Sequence, residues 1–500
     1  MDLFSNLALG LQTAISPQNL LYCFLGTLIG TLIGVLPGIG PVQTLAILLP
    51  ATFALPPVTA LIMLAGIYYG AQYGGSTTSI LVNVPGEASS VVTCLDGHAM
   101  ALQGRAGAAL MVSALGSFVA GCFATVLLAV LAVPLSEIAF KFGPAEYFSL
   151  MVFGLIGSIV FASGSVVKAM AMVVLGLLLG MVGTDITSGI PRFTFGVPEL
   201  ADGIGFVSLA MGLFGIAEII KSLDRKEKRD VIKKFAGFWM TKEEFKASAP
   251  AVVRGTLTGS LLGILPGGGA ILSSFISYML EKKISRHPET FGKGNIRGVA
   301  SPESANNAAA QTSFIPLLTL GIPPNVVLAI MAGAMIIHGI QPGPRVISSN
   351  PALFWGVIVS MWVGNVMLVI LNLPLIGVWV KLLTVPYRLL YPAILLFCCI
   401  GLYSVNNNTF DIGLTALLGF LGYLFVKFEC EPAPLILGFV LGPMMEENLR
   451  RGMLLSRGDI SFLFVRPLSL VFLLMALGML IIVALPSIYR KRETAFQEEG

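Results

Sequence analysis

Mostly apolar stretches succeed one another along the whole chain, at 20–36, 43–70, 106–133, 146–163, 166–183, 204–220, 249–281, 314–340, 352–383, 389–404, 412–426, 433–445 and 467–486. A helix needs roughly 20 such residues to cross the hydrocarbon of a bilayer. The runs are long and continuous, whereas barrel strands would be short and alternating, so helices are the expected spanning element. Only 11% of the residues are charged, against about 25% in a soluble domain. Too few charges remain to clothe a water-facing surface. The expected fold is an all-α polytopic membrane protein with about 11–13 membrane segments, some of them broken or re-entrant.

Charge placement divides the chain. No Lys or Arg precedes Arg105, so the first apolar run lacks the basic flank of a cleavable signal and is expected to stay as a helix. Residues 221–254 hold ten of the thirty Lys and Arg residues, and Arg490, Lys491 and Arg492 follow near the end. Short basic segments beside spans read as cytoplasmic. Asp224, Glu227, Asp230, Glu243 and Glu244 dilute the basic stretch, which argues against nucleic acid as a partner. The expected organisation is an N-terminal transmembrane repeat over 1–220, a basic cytoplasmic linker over 221–249, a C-terminal transmembrane repeat over 250–488, and a cytoplasmic tail over 489–500.

The repeat is read directly. Residues 26–40, GTLIGTLIGVLPGIG, and 255–269, GTLTGSLLGILPGGG, agree at ten of fifteen positions without a gap. Downstream, Thr78-Ser79 aligns with Thr312-Ser313, and Pro85-Gly86 with Pro323-Pro324. Paired repeats in membrane proteins build transport sites between them. The first copy is approached from a charge-free terminus and the second from Arg254 and the basic linker, which favours inverted topology. Lys282 and Lys283, past the second motif, argue the other way unless that segment dips in and returns.

Glycines spaced by four, Gly26, Gly30, Gly34 and Gly255, Gly259, Gly263, let another helix approach closely. Pro37-Gly38-Ile39-Gly40-Pro41 and Pro266-Gly267-Gly268-Gly269 should break their helices, since proline lacks an N–H and glycine clusters disfavour helix. Helix N-termini at such breaks suit an anion, and free carbonyls suit Na⁺. Candidate substrate-binding residues are therefore Gly38, Gly40, Gly267, Gly268 and Gly269, with the hydroxyls and amides of Ser76, Thr77, Thr78, Ser79, Asn306, Asn307, Thr312 and Ser313. Candidate ion-coupling residues are Pro37, Ile39, Asn83, Pro266, Glu303 and Gln311, with Na⁺ at the carbonyls of 38–40 and 267–269. Packing alone would also account for the small residues, and interhelical hydrogen bonding for the polar ones. Glu87, Asp96, Asp185, Glu218, Arg345, Glu446, Glu447 and Arg450 are the other ionisable residues near apolar runs. Glu446 and Arg450 also fit an i,i+4 ion pair. His98, His287 and His338 read as loop or helix-end residues, and six cysteines without CxxC spacing read as buried small side chains. No HExxH, GxSxG, Walker A or complete GxGxxG pattern occurs, so no cofactor is expected and an ion gradient is the natural energy source.

LPGIGP, YYGAQYGGSTTSILVNVPGE, DGHAMALQGRAG, LPGGGA, SPESANNAA, TLGIPPN, HGIQPGP and EENLRRGMLLSRGD together resemble the TctA family, the large membrane subunit of tripartite tricarboxylate transporters. The resemblance covers nearly the whole chain. It implies a multi-pass subunit of the bacterial inner membrane that imports a di- or tricarboxylate such as citrate by Na⁺ or H⁺ symport. It also implies a small TctB-like membrane subunit and a TctC-like periplasmic solute-binding protein as partners; homo-oligomerisation is left open. It maps the family's glycine–proline motifs onto Pro37–Pro41 and Pro266–Gly269, and its polar segments onto Gly74–Ser79 and Glu303–Asn307. A passive anion channel and a membrane-embedded enzyme are the competing readings.

Overall fold

A computed structural model describes residues 3–36, 40–162, 165–185, 187–224, 239–265, 269–383 and 391–484. Pro37, Gly38, Ile39, Pro266, Gly267 and Gly268, most of the basic linker and the C-terminal tail lie outside the described residues. The described chain is almost entirely helical; its strands are the two-residue pair Gly183–Thr184 and Pro191–Arg192.

The helices, in order, are α1 Leu3–Ala14, α2 Pro17–Gly34, α3 Pro41–Leu48 and α4 Pro57–Val82. A helical run over 88–102, α5, contains a π-turn at Cys94–His98. Then come α6 Ala106–Ala139, α7 Pro144–Phe161, α8 Val166–Gly180, and α9 over 206–224 with a π-turn at Met211–Ile216. After the linker follow α10 Lys242–Leu262, α11 Gly269–Ile284, α12 Arg297–Thr312, α13 Phe314–Leu320 and α14 Val326–Ile337. The last are α15 Pro351–Asn372, α16 Ile376–Leu382, α17 Tyr391–Asn406, α18 Thr409–Lys427, α19 Ala433–Leu455 and α20 Pro467–Ala484. Local chemistry sets many of the starts. Proline occupies the first turn of α2, α3, α4, α7 and α15, where its missing N–H has no helical partner to lose. Thr241 and Glu244 form a reciprocal capping box on α10.

Among the described residues, four helices, α6, α7, α15 and α18, are long and apolar enough to cross a membrane. The distribution of polarity around the bundle identifies its solvent. α12 carries Glu303, Asn306, Asn307 and Gln311, and all of them are buried. α6 turns Ala120 and Ala124 inward and leaves Val119, Phe123, Val126 and Val130 exposed. Leu474, Leu477, Ile481 and Ile482 stand exposed on α20. A polar interior beneath an apolar surface is stable in lipid, not in water. The chain is an all-α polytopic membrane protein.

The spaced glycines fix two helix pairs in the same way. A Cβ added at Gly26, Gly30 or Gly34 of α2 would sit 2.3–2.4 Å from the carbonyl oxygens of Met63, Ile67 and Ala71 on α4. At Gly255, Gly259 and Gly263 of α10 it would sit 2.1–2.5 Å from those of Ser301, Ala305 and Ala309 on α12. Both registers ascend together, so each pair is parallel. Two consecutive parallel helices require the chain to return between them. α3 and α11 are those returns, which makes α2–α3 and α10–α11 re-entrant hairpins. At the open end of the second, Arg254 of α10 and Arg297 of α12 both grip Glu281 of α11, at 2.5 and 2.7 Å. Lys282 and Lys283 therefore lie at the same end as Arg254, which removes the objection they raised. α4 and α12 run antiparallel, since Gln72 meets Asn306 and Ser76 meets Glu303.

Two bundles result. One gathers α1, α2, α4, α6, α10, α11, α12 and α15 around Trp355, Tyr69, Phe314 and Phe354, the largest of the fully buried side chains. The other gathers α7, α8, α19 and α20, where Gly176 meets the Leu435 carbonyl and Ser149 meets Ser469 at 2.6 Å, while α9 packs on α18 and against α3.

Candidate functional site

Hairpin tips and helix starts converge on one cavity of about 430 Å³ at the seam between the bundles. Gly40, Pro41, Val42 and Gln43 line it from the start of α3, and Gly269, Ala270 and Ile271 from the start of α11. Glu87, Ala88 and Ser89 line it from the start of α5, and Asn325, Val326 and Val327 from the start of α14. Glu431 to Pro434 lead into α19. Five helices thus aim their first turns at one volume. Their orphan N–H groups and dipoles make such a volume favourable for anions. Opposite stand Ser158 and Phe161 of α7 and Phe214, Glu218 and Lys221 of α9. Lys221 and Glu218 form an ion pair at 3.2 Å.

The hairpin tips are held by side chains one layer back. Thr78 donates to the carbonyl of Val35 just past the end of α2, at 2.8 Å. Ser313 donates to the carbonyl of Gly263 just past the end of α10, at 2.9 Å, and accepts from Asn325 at 3.2 Å. Ser79 bonds Ser90 at 3.0 Å, tying α4 to α5. Gly74 and Gly75 allow close approaches: Gly74 faces the backbone of α2, and Gly86 lies on Gly75. Gly321, with φ +77°, turns the chain after α13 under the backbone of Pro342 and Gly343.

Most expected polar site residues therefore lie behind the cavity wall. Gly40 and Gly269 line the cavity. Ser76 donates to Glu303 at 2.5 Å, and Thr93 and Ser113 donate to the same buried carboxylate. Thr77 back-bonds to Tyr73 and Thr312 to Ala308 within their own helices. Asn307 donates to Ser117 of α6 at 2.8 Å. Gln311 accepts from Thr125 and donates to Asn365. Asn83 is the exposed, left-handed C-cap of α4, with φ 60°. Asn306 connects wall to interior, donating to Glu87 at 2.7 Å and accepting from Gln72 at 3.2 Å. Gln43, Gln72 and Asn325 were not singled out by the sequence. Asn325 had a signal: Asn directly before an apolar run is an N-cap pattern, and its side chain does accept from Leu328 N–H.

The remaining ionisable groups are structural. Asp96 Oδ1 accepts the N–H groups of Gly292, Gly294 and Asn295, and Tyr278 donates to Oδ2. Asp185, in the loop after α8, pairs with Arg192 and Arg450, and Arg450 also pairs with Glu446 at i,i+4. The Ser188 hydroxyl, then Arg450, hold the Asp185 carboxyl down at about 2. His338 caps the end of α14 and His287 lies in a loop, as expected, whereas His98 lies within α5 at the end of its π-turn.

Residues 20–437 match the tripartite tricarboxylate transporter TctA family. An uncharacterized 52.8 kDa protein in the TAR-I ttuC' 3'region of Agrobacterium vitis is 59% identical over 500 residues, all of both chains. An uncharacterized protein in the TAR-II ttuC' 3'region of the same organism is 60% identical over 241 residues, all of that protein and 48% of this chain. No solved structure matches the chain. A match spanning most of the chain, over a fold whose helix starts converge on one cavity, leads to a single assignment: the chain belongs to the tripartite tricarboxylate transporter TctA family.

Proposed function

We propose that this chain is the substrate-translocating subunit of a secondary active transporter that imports a di- or tricarboxylate across the bacterial inner membrane, coupled to Na⁺ or H⁺. The observation that carries the reading is the convergence of five helix N-termini on one cavity. Each N-terminus acts as roughly half a positive charge, so together they amount to about 2.5 charges. That suits a small polycarboxylate, and about 430 Å³ accommodates one with some water. Family membership supports a TctB-like small membrane subunit and a TctC-like periplasmic binding protein as partners.

On this reading the chain consists of two inverted repeats. The support is that positions equivalent in the two motifs hold equivalent places: Gly40 and Gly269, and Glu87 and Asn325, line the cavity. The antiparallel run of α4 and α12 supports it too. Arg105, Lys242, Arg254, Lys282, Lys283 and Arg297 cluster at the open end of the second hairpin, which is then cytoplasmic. Translocation moves one bundle against the other along the seam. The test is uptake of labelled citrate and C4-dicarboxylates by proteoliposomes holding the purified subunits, with and without ion gradients. Saturable, gradient-driven uptake is expected. Uptake that neither saturates nor responds to a gradient would replace the carrier with a channel.

A further inference from the structure

An anion site with a carboxylate in its wall needs a partner for that carboxylate. Glu87 lines the cavity, and among the described residues no Lys or Arg forms an ion pair with it. Asn306 donates to its Oε1 at 2.7 Å. Asn306 is itself held by Gln72 Nε2 at 3.2 Å. That orientation turns the other end of the Gln72 amide away from Asn306, and among the described residues Gln72 Oε1 has no hydrogen-bond partner although Gln72 is 0% exposed. Gln72 also lines the cavity. A charged oxygen and a bare neutral oxygen are thus linked through one asparagine on the same wall. At the position equivalent to Glu87 in the second half stands the uncharged Asn325, whose oxygen is occupied by Leu328 N–H.

We propose that Glu87 and Gln72 Oε1 form a binding site for a hard monovalent cation, Na⁺, on the α4–α5 wall of the cavity. The inference rests on the transporter reading above and names where its coupling ion binds. Oxygen ligands suit a hard cation. A bound cation satisfies the orphan acceptor, neutralises Glu87, and removes the repulsion that an incoming carboxylate would meet there. Substrate then binds on the N-terminal turns of α11 and α14 with the cation beside it. Among the described residues, the other charged groups lining the cavity are Lys221, Glu218 and Glu431, contributed by α9 and by the turn before α19, and not by α4, α5 or α12.

The full chain in lipid nanodiscs tests this without a carboxylate. Thermal unfolding is followed in NaCl and in equal choline chloride, and the Na⁺-dependent rise in midpoint gives the apparent affinity. The wild type is expected to be stabilised by Na⁺ specifically. Glu87→Gln should weaken Na⁺ at least about tenfold, and Gln72→Glu should strengthen it. Opposite shifts at two neighbouring positions cannot both come from misfolding. Equal Na⁺ affinity in Glu87→Gln and wild type, or a wild type that does not distinguish Na⁺ from choline, overturns the site. Glu87-dependent Na⁺ binding without carboxylate uptake would retain the site and reject the transport reading. Gradient-driven uptake with no Na⁺ binding would do the reverse.

Discussion

Gly259→Ala is the sharpest probe of how the second hairpin is held. The new methyl carbon would lie 2.1 Å from the Ala305 carbonyl oxygen, 2.7 Å from its Cα and 2.8 Å from its carbonyl carbon. These are backbone atoms of a buried helix and cannot rotate aside. α10 and α12 must separate by roughly 1 Å, and a gap of that size forfeits about a quarter to a half of each contact's dispersion energy. The separation extends along the interface, because Gly255 and Gly263 make the same approach one turn to either side. Overpacking of this kind costs about 3 kcal/mol. Intrinsic propensity alone predicts the opposite, since alanine favours helix over glycine by about 1 kcal/mol. Gly413→Ala, on α18 with nothing within 4 Å of the added carbon, isolates that term. Thermal unfolding in nanodiscs should show Gly259→Ala destabilised and Gly413→Ala unchanged or slightly stabilised. Uptake should fall in the first, because the hairpin carries Gly269 to the cavity. A Gly259→Ala protein as stable as wild type would refute the close-packed hairpin.

Three further outcomes are expected. Glu281→Ala should lose about 3 kcal/mol, the low end for a broken buried ion pair, because the Arg254 and Arg297 side chains it strands are 33% and 24% exposed; chemical denaturation reads it. Thr78→Val keeps the shape but leaves the Val35 carbonyl without its hydroxyl donor, at a loss of about 1–2 kcal/mol, while Thr78→Ser retains stability in the same melt. The depressed pKa of Asp185 stabilises the folded loop fully above its ordinary value near 3.9. That contribution is lost as pH falls from about 4 towards its folded value of about 2. Hydrogen exchange of the segment after α8 should accelerate in that window in the wild type, and Asp185→Asn should abolish the pH step.

Apolar runs and the doubled glycine–proline motif made much of this architecture legible. α12 has no counterpart among the apolar runs, because RGVASPESANNAAAQT carries no hydropathy signal. It is enclosed by protein, not lipid, so selection on its composition came from hydrogen bonding and close packing. Long apolar stretches misled in the other direction. Residues 249–281 and 43–70 read as continuous, yet each is divided between two helices of a turn-back path. Among the polar clusters the sequence identified the neighbourhood but not the surface. Thr78 and Ser313 share a residue class with cavity-lining Ser89, and only the helix rotation decides which of them faces ligand and which pins a neighbouring carbonyl.

In the proposed two-repeat organisation, specificity resides where the halves differ. Equivalent halves place equivalent backbone around the cavity, so the glycines at 40 and 269 and the helix starts beside them attract any small anion and discriminate poorly. Direction and selectivity must come from positions where the halves differ. Glu87 opposite Asn325 is such a pair: both cap a helix that begins at the cavity, and they differ by one charge. A ring of helix dipoles that carries a carboxyl at Glu87 and an amide at the matching Asn325 has unlike poles. A multiply charged substrate entering with a cation has one orientation that places unlike charges together. On the proposed reading, the internal likeness of the chain marks where the site is and its departures from that likeness give the site its chemistry.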